Sequence, residues 1–289
     1  MSTPPGYRFL QKFKIQNSSI REFLAEFFGT FILILYGDSA FAGTILEGKG
    51  VPDVFGVTWV WGMGALLGIT CAGGVSGGHI HPGVTVAFAT VGKFPWRKVP
   101  HYVLGQHLGG FFAAVVVYFT FYDGFYVFDP MKTVVGENRT AWVFATYPRE
   151  GISIWNCFFT ELVVGFLVMF TVMGIVDTKN LKIPKFLYPL FIGFVIQATA
   201  QSFCMNCMAP LNPARDFPTR VFTAIAGWGK ETFSIRSYGY WWIGLIGPHI
   251  GCIIGAWFYY LAIELHWPED KSLEDNDIPL RDEESKRKT

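Results

Sequence analysis

Charge is scarce in this chain, and that scarcity removes several function classes. Only 16% of the 289 residues are Asp, Glu, Lys or Arg, against about 25% in an ordinary soluble domain. The deficit is local: long stretches carry almost no charge, and the two ends and a few connections carry most of it. With 51% hydrophobic residues and a mean hydropathy of +0.34, this is the pattern of a chain whose middle is solvated by lipid. A net charge of +1 offers no basic surface to a polyanion, so nucleic acid is excluded as a partner. Cysteine is also sparse. Cys204 and Cys207 form a C-x-x-C without a second pair or a nearby His cluster. No metal site or cofactor is therefore implied, and Cys71, Cys157, Cys204, Cys207 and Cys252 read as small packing residues. No H-E-x-x-H occurs and no carboxylate pair is placed for catalysis, which argues against an enzyme. The chain through Ile20 is polar and basic, and the first apolar run is too long for the core of a cleavable signal peptide, so none is expected.

What the chain does contain is six long apolar segments, at 23–46, 54–72, 102–122, 154–176, 186–203 and 240–265. At about 1.5 Å per helical residue each can cross a hydrocarbon core of about 30 Å with some tilt. Two further apolar stretches, 82–91 and 213–225, are too short to span and follow the turn-rich segments 73–81 and 206–212. Such lengths suit re-entrant pieces. The 32 glycines suit close helix packing in a bilayer. The fold class expected is all-α and membrane-spanning, with six transmembrane helices and two re-entrant half-helices. A channel domain at 20–265 then lies between an N-terminal tail, 1–19, and a charged, flexible C-terminal tail, 266–289.

Basic residues orient the spans. Arg8, Lys12, Lys14, Arg21, Lys93, Arg97, Lys98, Lys179, Lys182, Lys185 and five more in the C-terminal tail put 15 Lys/Arg on the side of the termini. The other side holds 6: Lys49, Lys132, Arg139, Arg149, Lys230 and Arg236. The excess predicts cytoplasmic termini in a plasma membrane. The sequon Asn138-Arg139-Thr140 then falls in the long outside loop, making Asn138 a candidate glycosylation site, while Asn17-Ser18-Ser19 faces the cytoplasm.

The chain also repeats itself. Glu26 and Glu161 are intramembrane carboxylates 135 positions apart; His81-Pro82-Gly83 and Asn212-Pro213-Ala214 open the two short segments 131 apart. Gly105-Gln106-His107-Leu108-Gly109 returns as Gly247-Pro248-His249-Ile250-Gly251, 142 apart. Two homologous halves, about 20–122 and 154–265, with three spans each, must insert in opposite senses, an architecture whose site lies near the midplane. The half-helices then meet N-terminus to N-terminus, each with free N–H groups and about half a positive charge. Pro82 and Pro213 suit a first helical turn, and Asn212 suits an N-cap whose amide N–H₂ could donate to a passing oxygen. The irregular peptides entering both half-helices survive at membrane depth only against protein or a wet cavity. Together they form a polar ladder on one pore wall, facing an apolar one.

Pro210-Leu211-Asn212-Pro213-Ala214-Arg215-Asp216, with Ser76-Gly77-Gly78-His79-Ile80 and Ala25-Glu26-Phe27-Phe28-Gly29-Thr30, resembles the aquaporin (major intrinsic protein) family over roughly 20–265. Asp216 directly after the arginine, and the long loop 123–153, resemble its aquaglyceroporin branch. The resemblance implies passive passage of water, glycerol and similar neutral solutes, and a homotetramer. It makes Arg215 the selectivity-filter arginine, Trp61 the filter aromatic, and Ala200 and Ala209 its small positions. Ala209, where many members carry an aromatic, widens the filter in favour of polyols. Glu26 and Glu161 become interior supports for the irregular loops, and His107 and His249 pack between spans. Asp38 has no family counterpart and is placed beside the outer vestibule.

The first motif departs from the usual Asn-Pro-Ala. His81 can cap the half-helix and offer one ring N–H in imitation of the amide, although its bulk narrows the centre unless Gly83 makes room. Three outcomes stay open: a working channel with a modified centre, one modulated by pH through His79 or His81, or a poor conductor. The competing classes are a channel-fold protein with a structural or adhesive role, and an ion-leaky channel created by the altered motif.

Overall fold

A computed structural model describes residues 7–48 and 53–268. Lys49 and the C-terminal tail from 269 onward fall outside them, as does the side chain of Arg8. Among the described residues six helices are long and apolar enough to cross a membrane. In chain order the elements are α1 (Ser18–Leu46), α2 (Val54–Ser76), the half-helix α3 (Pro82–Thr90), α4 (Val99–Thr120), α5 (Ile154–Val176), α6 (Tyr188–Cys207), the half-helix α7 (Pro213–Thr223) and α8 (Ile243–Ala262). The protein is an all-α, integral, multi-pass membrane protein.

Capping, rather than the end of hydrophobicity, sets several helix boundaries. The apolar run starts at 23, but α1 begins at Ser18 because the Asn17 side-chain Oδ1 accepts from the Ser19 N–H at 2.9 Å. Asp53 and Ser153 do the same for α2 and α5. Past its apolar run, α2 continues through Gly73 and Gly74 and stops where Gly77 takes φ +91°, a left-handed turn that a side chain would strain. The segment 73–81, read as turn-rich, is therefore helical in its first part.

Within each half the spans pack as triplets: α1 lies on α2 and α4, and α5 lies on α6 and α8. Small residues bring the backbones together. Gly109 on α4 sits against the Phe27 carbonyl of α1, and in the second half Gly251 on α8 sits against the Leu162 carbonyl of α5. The half-helices are exchanged between the halves: α3 packs on α8 and α7 packs on α4. Neither half can complete its pore wall without the other.

The long connection 123–153 is an ordered cap over one mouth. It contains a short helix, Tyr122–Phe128, and a 3₁₀ turn, Thr140–Val143. Asp129 draws in the Thr133 N–H at 2.6 Å and the Thr140 hydroxyl at 2.5 Å, and the Trp228 indole donates to Thr140 at 3.1 Å. The cap's own Phe144 and Tyr147 are buried.

Candidate functional site: a central pore

The two intramembrane glutamates hold the peptides that enter the half-helices. Glu26 accepts from the Ser76 hydroxyl at 2.6 Å, the His79 and Ile80 N–H groups at 2.9 and 2.7 Å, and the Gln106 amide at 2.7 Å. Glu161 accepts from the Leu211 N–H at 2.8 Å. Each is fully buried, and a carboxylate at that depth persists only with such partners. The held peptides are contorted: φ is positive at Gly77, Gly78 and Ile80 in the first half and at Met208, Ala209 and Leu211 in the second. Carbonyls that a helix would consume are therefore turned out of the helical ladder.

At the midplane the half-helices are joined head to head by a reciprocal clasp. His81 caps α3 by accepting the Val84 N–H on Nδ1 at 3.2 Å, and Asn212 caps α7 by accepting the Ala214 N–H at 2.9 Å. Each head residue also reaches the carbonyl just before the other: the Asn212 amide donates to Ile80 at 2.9 Å, and His81 Nε2 donates to Leu211 at 2.7 Å. A carbonyl can only accept and an N–H can only donate, so the ring is the neutral Nε2–H tautomer. The ring N–H expected to face a solute is spent on Leu211. His81, Asn212, Pro213 and Ala214 are all buried, as are Pro82 and Gly83.

One cavity of about 1600 Å³ passes this clasp. At one end it is lined by Arg139, Arg149 and Arg236, and at the other by Gly73, Lys185 and Phe186. Trp61, Ala200, Ala209 and Arg215 all face it, together with Phe41. The Arg215 guanidinium lies 5.2 Å from the Trp61 ring centre and 5.7 Å from that of Phe41, and its Nη1 donates to the Phe144 carbonyl at 3.1 Å. Its Nη2 is buried without a hydrogen-bond partner among the described residues. Trp61 is pore-facing and buried, whereas Trp59 is exposed on the flank and stacks on Phe55. His79 lines the cavity among Phe88, Phe94 and Tyr102, with Nδ1 3.1 Å from the Thr85 hydroxyl. Asn138 is exposed at the end that Arg139 and Arg149 line. Asp38 is fully buried and does not line the cavity, so it does not border the vestibule.

The major intrinsic protein family model matches residues 14–259. The chain belongs to that family. Human aquaporin-9 is 41% identical over 269 residues, covering 93% of this chain and 91% of the relative. Aquaglyceroporin-2 of Rhizophagus irregularis is 38% identical over 257 residues, covering 89% and 80%. The X-ray structure of the aquaglyceroporin from Plasmodium falciparum superposes with a TM-score of 0.76 at 26% identity, covering 86% of this chain and 98% of that one. Within the major intrinsic proteins, this one falls in the aquaglyceroporin branch.

Several residues that shape the pore of this major intrinsic protein are silent in the sequence. Arg220, which motif reasoning passes over, is fully buried and paired to Asp216 at 2.9 Å; it also donates to the Thr146 and Thr232 carbonyls at 2.5 and 2.8 Å. Asp216 accepts from the Thr146 N–H and hydroxyl at 2.8 and 2.6 Å, so the cap 123–153 is bolted to α7 beside Arg215. The i, i+4 spacing of Asp216 and Arg220 was the one available signal. Gln106 links Glu26 to Thr85 at 3.0 Å in the first half, where the second half has Pro248 instead. Phe41 carries no motif at all.

Proposed function

We propose that this chain is a passive, bidirectional channel for water, glycerol and other small neutral solutes. The observation that carries the reading is Arg215: a guanidinium on the cavity wall whose Nη2 has no hydrogen-bond partner among the described residues, beside the Trp61 ring at 5.2 Å. A polyol can give hydroxyl oxygens to the first and lay its carbon edge on the second, while the fixed positive charge repels cations. Ala200 and Ala209 leave room for that carbon skeleton. Pro82 and Pro213 start the two half-helices whose positive ends face the midplane, a second barrier to cations. Flux follows the solute gradient, and no bond is made or broken.

The channel unit is 20–265, with tails 1–19 and 266–289 in the cytoplasm of a plasma membrane, as the 15 to 6 distribution of Lys/Arg favours. It assembles as a homotetramer in the bilayer, and Asn138 on the outer face accepts a glycan. Of the two histidines weighed as pH sensors, His79 is the one retained, because protonating His81 at Nδ1 would oppose the Val84 N–H that caps α3.

The test is stopped-flow light scattering on proteoliposomes of the purified protein, under glycerol and under sucrose gradients. Glycerol and water permeabilities well above empty liposomes are expected, and background rates for both reject the reading. A glycerol permeability unchanged from about pH 5.5 to 7.5, around the ordinary His value of about 6.5, removes His79 as a sensor.

A further inference from the structure

The head-to-head clasp is symmetric in geometry but not in chemistry. An asparagine amide carries two N–H groups, so Asn212 can bond Ile80 with one and still present the other to the cavity that it lines. A neutral imidazole carries one. His81 places it on Leu211 at 2.7 Å and commits its only lone-pair nitrogen to Val84. What the ring presents to the cavity is a carbon edge.

Gly83 is what allows the ring to sit there. A Cβ at position 83 would lie 2.9 Å from His81 Cε1, 3.2 Å from His81 Nδ1 and 3.2 Å from the Cys252 sulfur on α8. The second motif carries the opposite pairing in the same molecule. There the head residue is Asn212, the third residue is Ala214, and the cap bond between them is 2.9 Å. An imidazole head thus requires glycine two places on, while an amide head accepts alanine.

We propose that His81 and Gly83 act as one coupled unit that sets water-to-polyol selectivity at the pore centre, leaving Asn212 as the sole donor there. This rests on the channel reading above. A single-file water at the centre meets one side-chain donor where the pseudo-symmetry supplies two. A polyol has several hydroxyls and a carbon face, so it can bond Asn212 and lie against the imidazole edge at once. The carbon edge of His81 therefore weights the centre toward polyols.

The experiment is a double-mutant cycle of wild type, His81→Asn, Gly83→Ala and the double variant, each measured for water and glycerol permeability and for thermal melting. His81→Asn is expected to raise the water-to-glycerol permeability ratio by about 2- to 12-fold, the rate equivalent of one net hydrogen bond. Gly83→Ala alone is expected to lower the melting temperature and both permeabilities. The same change on the His81→Asn background is expected to restore both, because the clashing ring is gone. A ratio unmoved by His81→Asn, or a Gly83→Ala effect equal in the two backgrounds, overturns the proposal. If wild type conducts neither solute the channel reading fails instead, and the melting cycle still decides whether the two residues are coupled.

Discussion

Asp216→Asn is the most informative single change, because Asp216 is the only carboxylate touching two buried arginines among the described residues. It pairs with Arg220 at 2.9 Å and lies 3.8 Å from Arg215, and all three side chains are essentially inaccessible. The substitution keeps the volume and removes the charge, so Arg220 remains buried without an anion, left with neutral acceptors: the new amide oxygen and the Thr146 and Thr232 carbonyls. Breaking one side of a buried pair costs about 3–5 kcal/mol. At about 2–4 °C per kcal/mol for a domain of up to about 250 residues, the size of the unit 20–265, the melting temperature falls by about 6–20 °C. Glycerol permeability also falls, since Phe144, which receives Arg215, sits in the same cap that Thr146 bolts to Asp216. Removing the second charge repairs much of the loss, so Asp216→Asn with Arg220→Met is expected to melt above Asp216→Asn alone. The assay is a thermal scan of the detergent-purified protein, with liposome flux alongside. A drop under about 2 °C, less than 1 kcal/mol on that scale, or strictly additive losses in the double variant, refutes the reasoning.

Other outcomes follow from the same geometry. Glu161→Ala strands the Leu211 N–H, and at about 1–3 kcal/mol for an unsatisfied buried donor it lowers melting and glycerol flux, with Glu161→Gln milder because its amide oxygen still accepts. Trp61→Ala removes the apolar face opposite Arg215; uptake of polyols longer than glycerol rises relative to glycerol in the liposome assay, and an unchanged ratio counts against Trp61 as a filter wall. Just past the end of α5, burial raises the Asp177 carboxyl, but hydrogen bonds from the Lys179 N–H, the Trp267 indole and the Tyr259 hydroxyl outweigh it and hold the group below its ordinary value. A depressed carboxylate stabilises above its unfolded value of about 4, and the contribution is lost as pH falls through the folded value. Melting curves should therefore lose stability on acidification below that range in wild type, and less so in Asp177→Asn.

The spans, the two half-helices and their inverted arrangement were legible in the sequence because lipid enforces them. A bilayer leaves unpaired backbone nowhere to go, so length, charge distribution and the Pro82 and Pro213 starts are sufficient to predict the order of elements. Asn212-Pro213-Ala214-Arg215-Asp216 was legible for a related reason: a cap, a helix-start proline and a buried arginine in five residues serve few other purposes. Boundaries were less legible, since Asn17 and Gly77 set them by capping and backbone conformation rather than by hydrophobicity.

The tertiary structure decided everything that depends on partners distant in sequence. Composition cannot show that Arg220 is buried, because its partners Thr146 and Thr232 come from two different loops. Nor can it separate pore-facing Trp61 from flank-facing Trp59, which needs Phe41 and Arg215 brought across from other helices. The fate of the His81 N–H was likewise undecided until Leu211, 130 residues away, was set 2.7 Å from the ring. Local sequence determines which groups can donate and accept, but only the exchanged half-helices determine which of them are left for a solute.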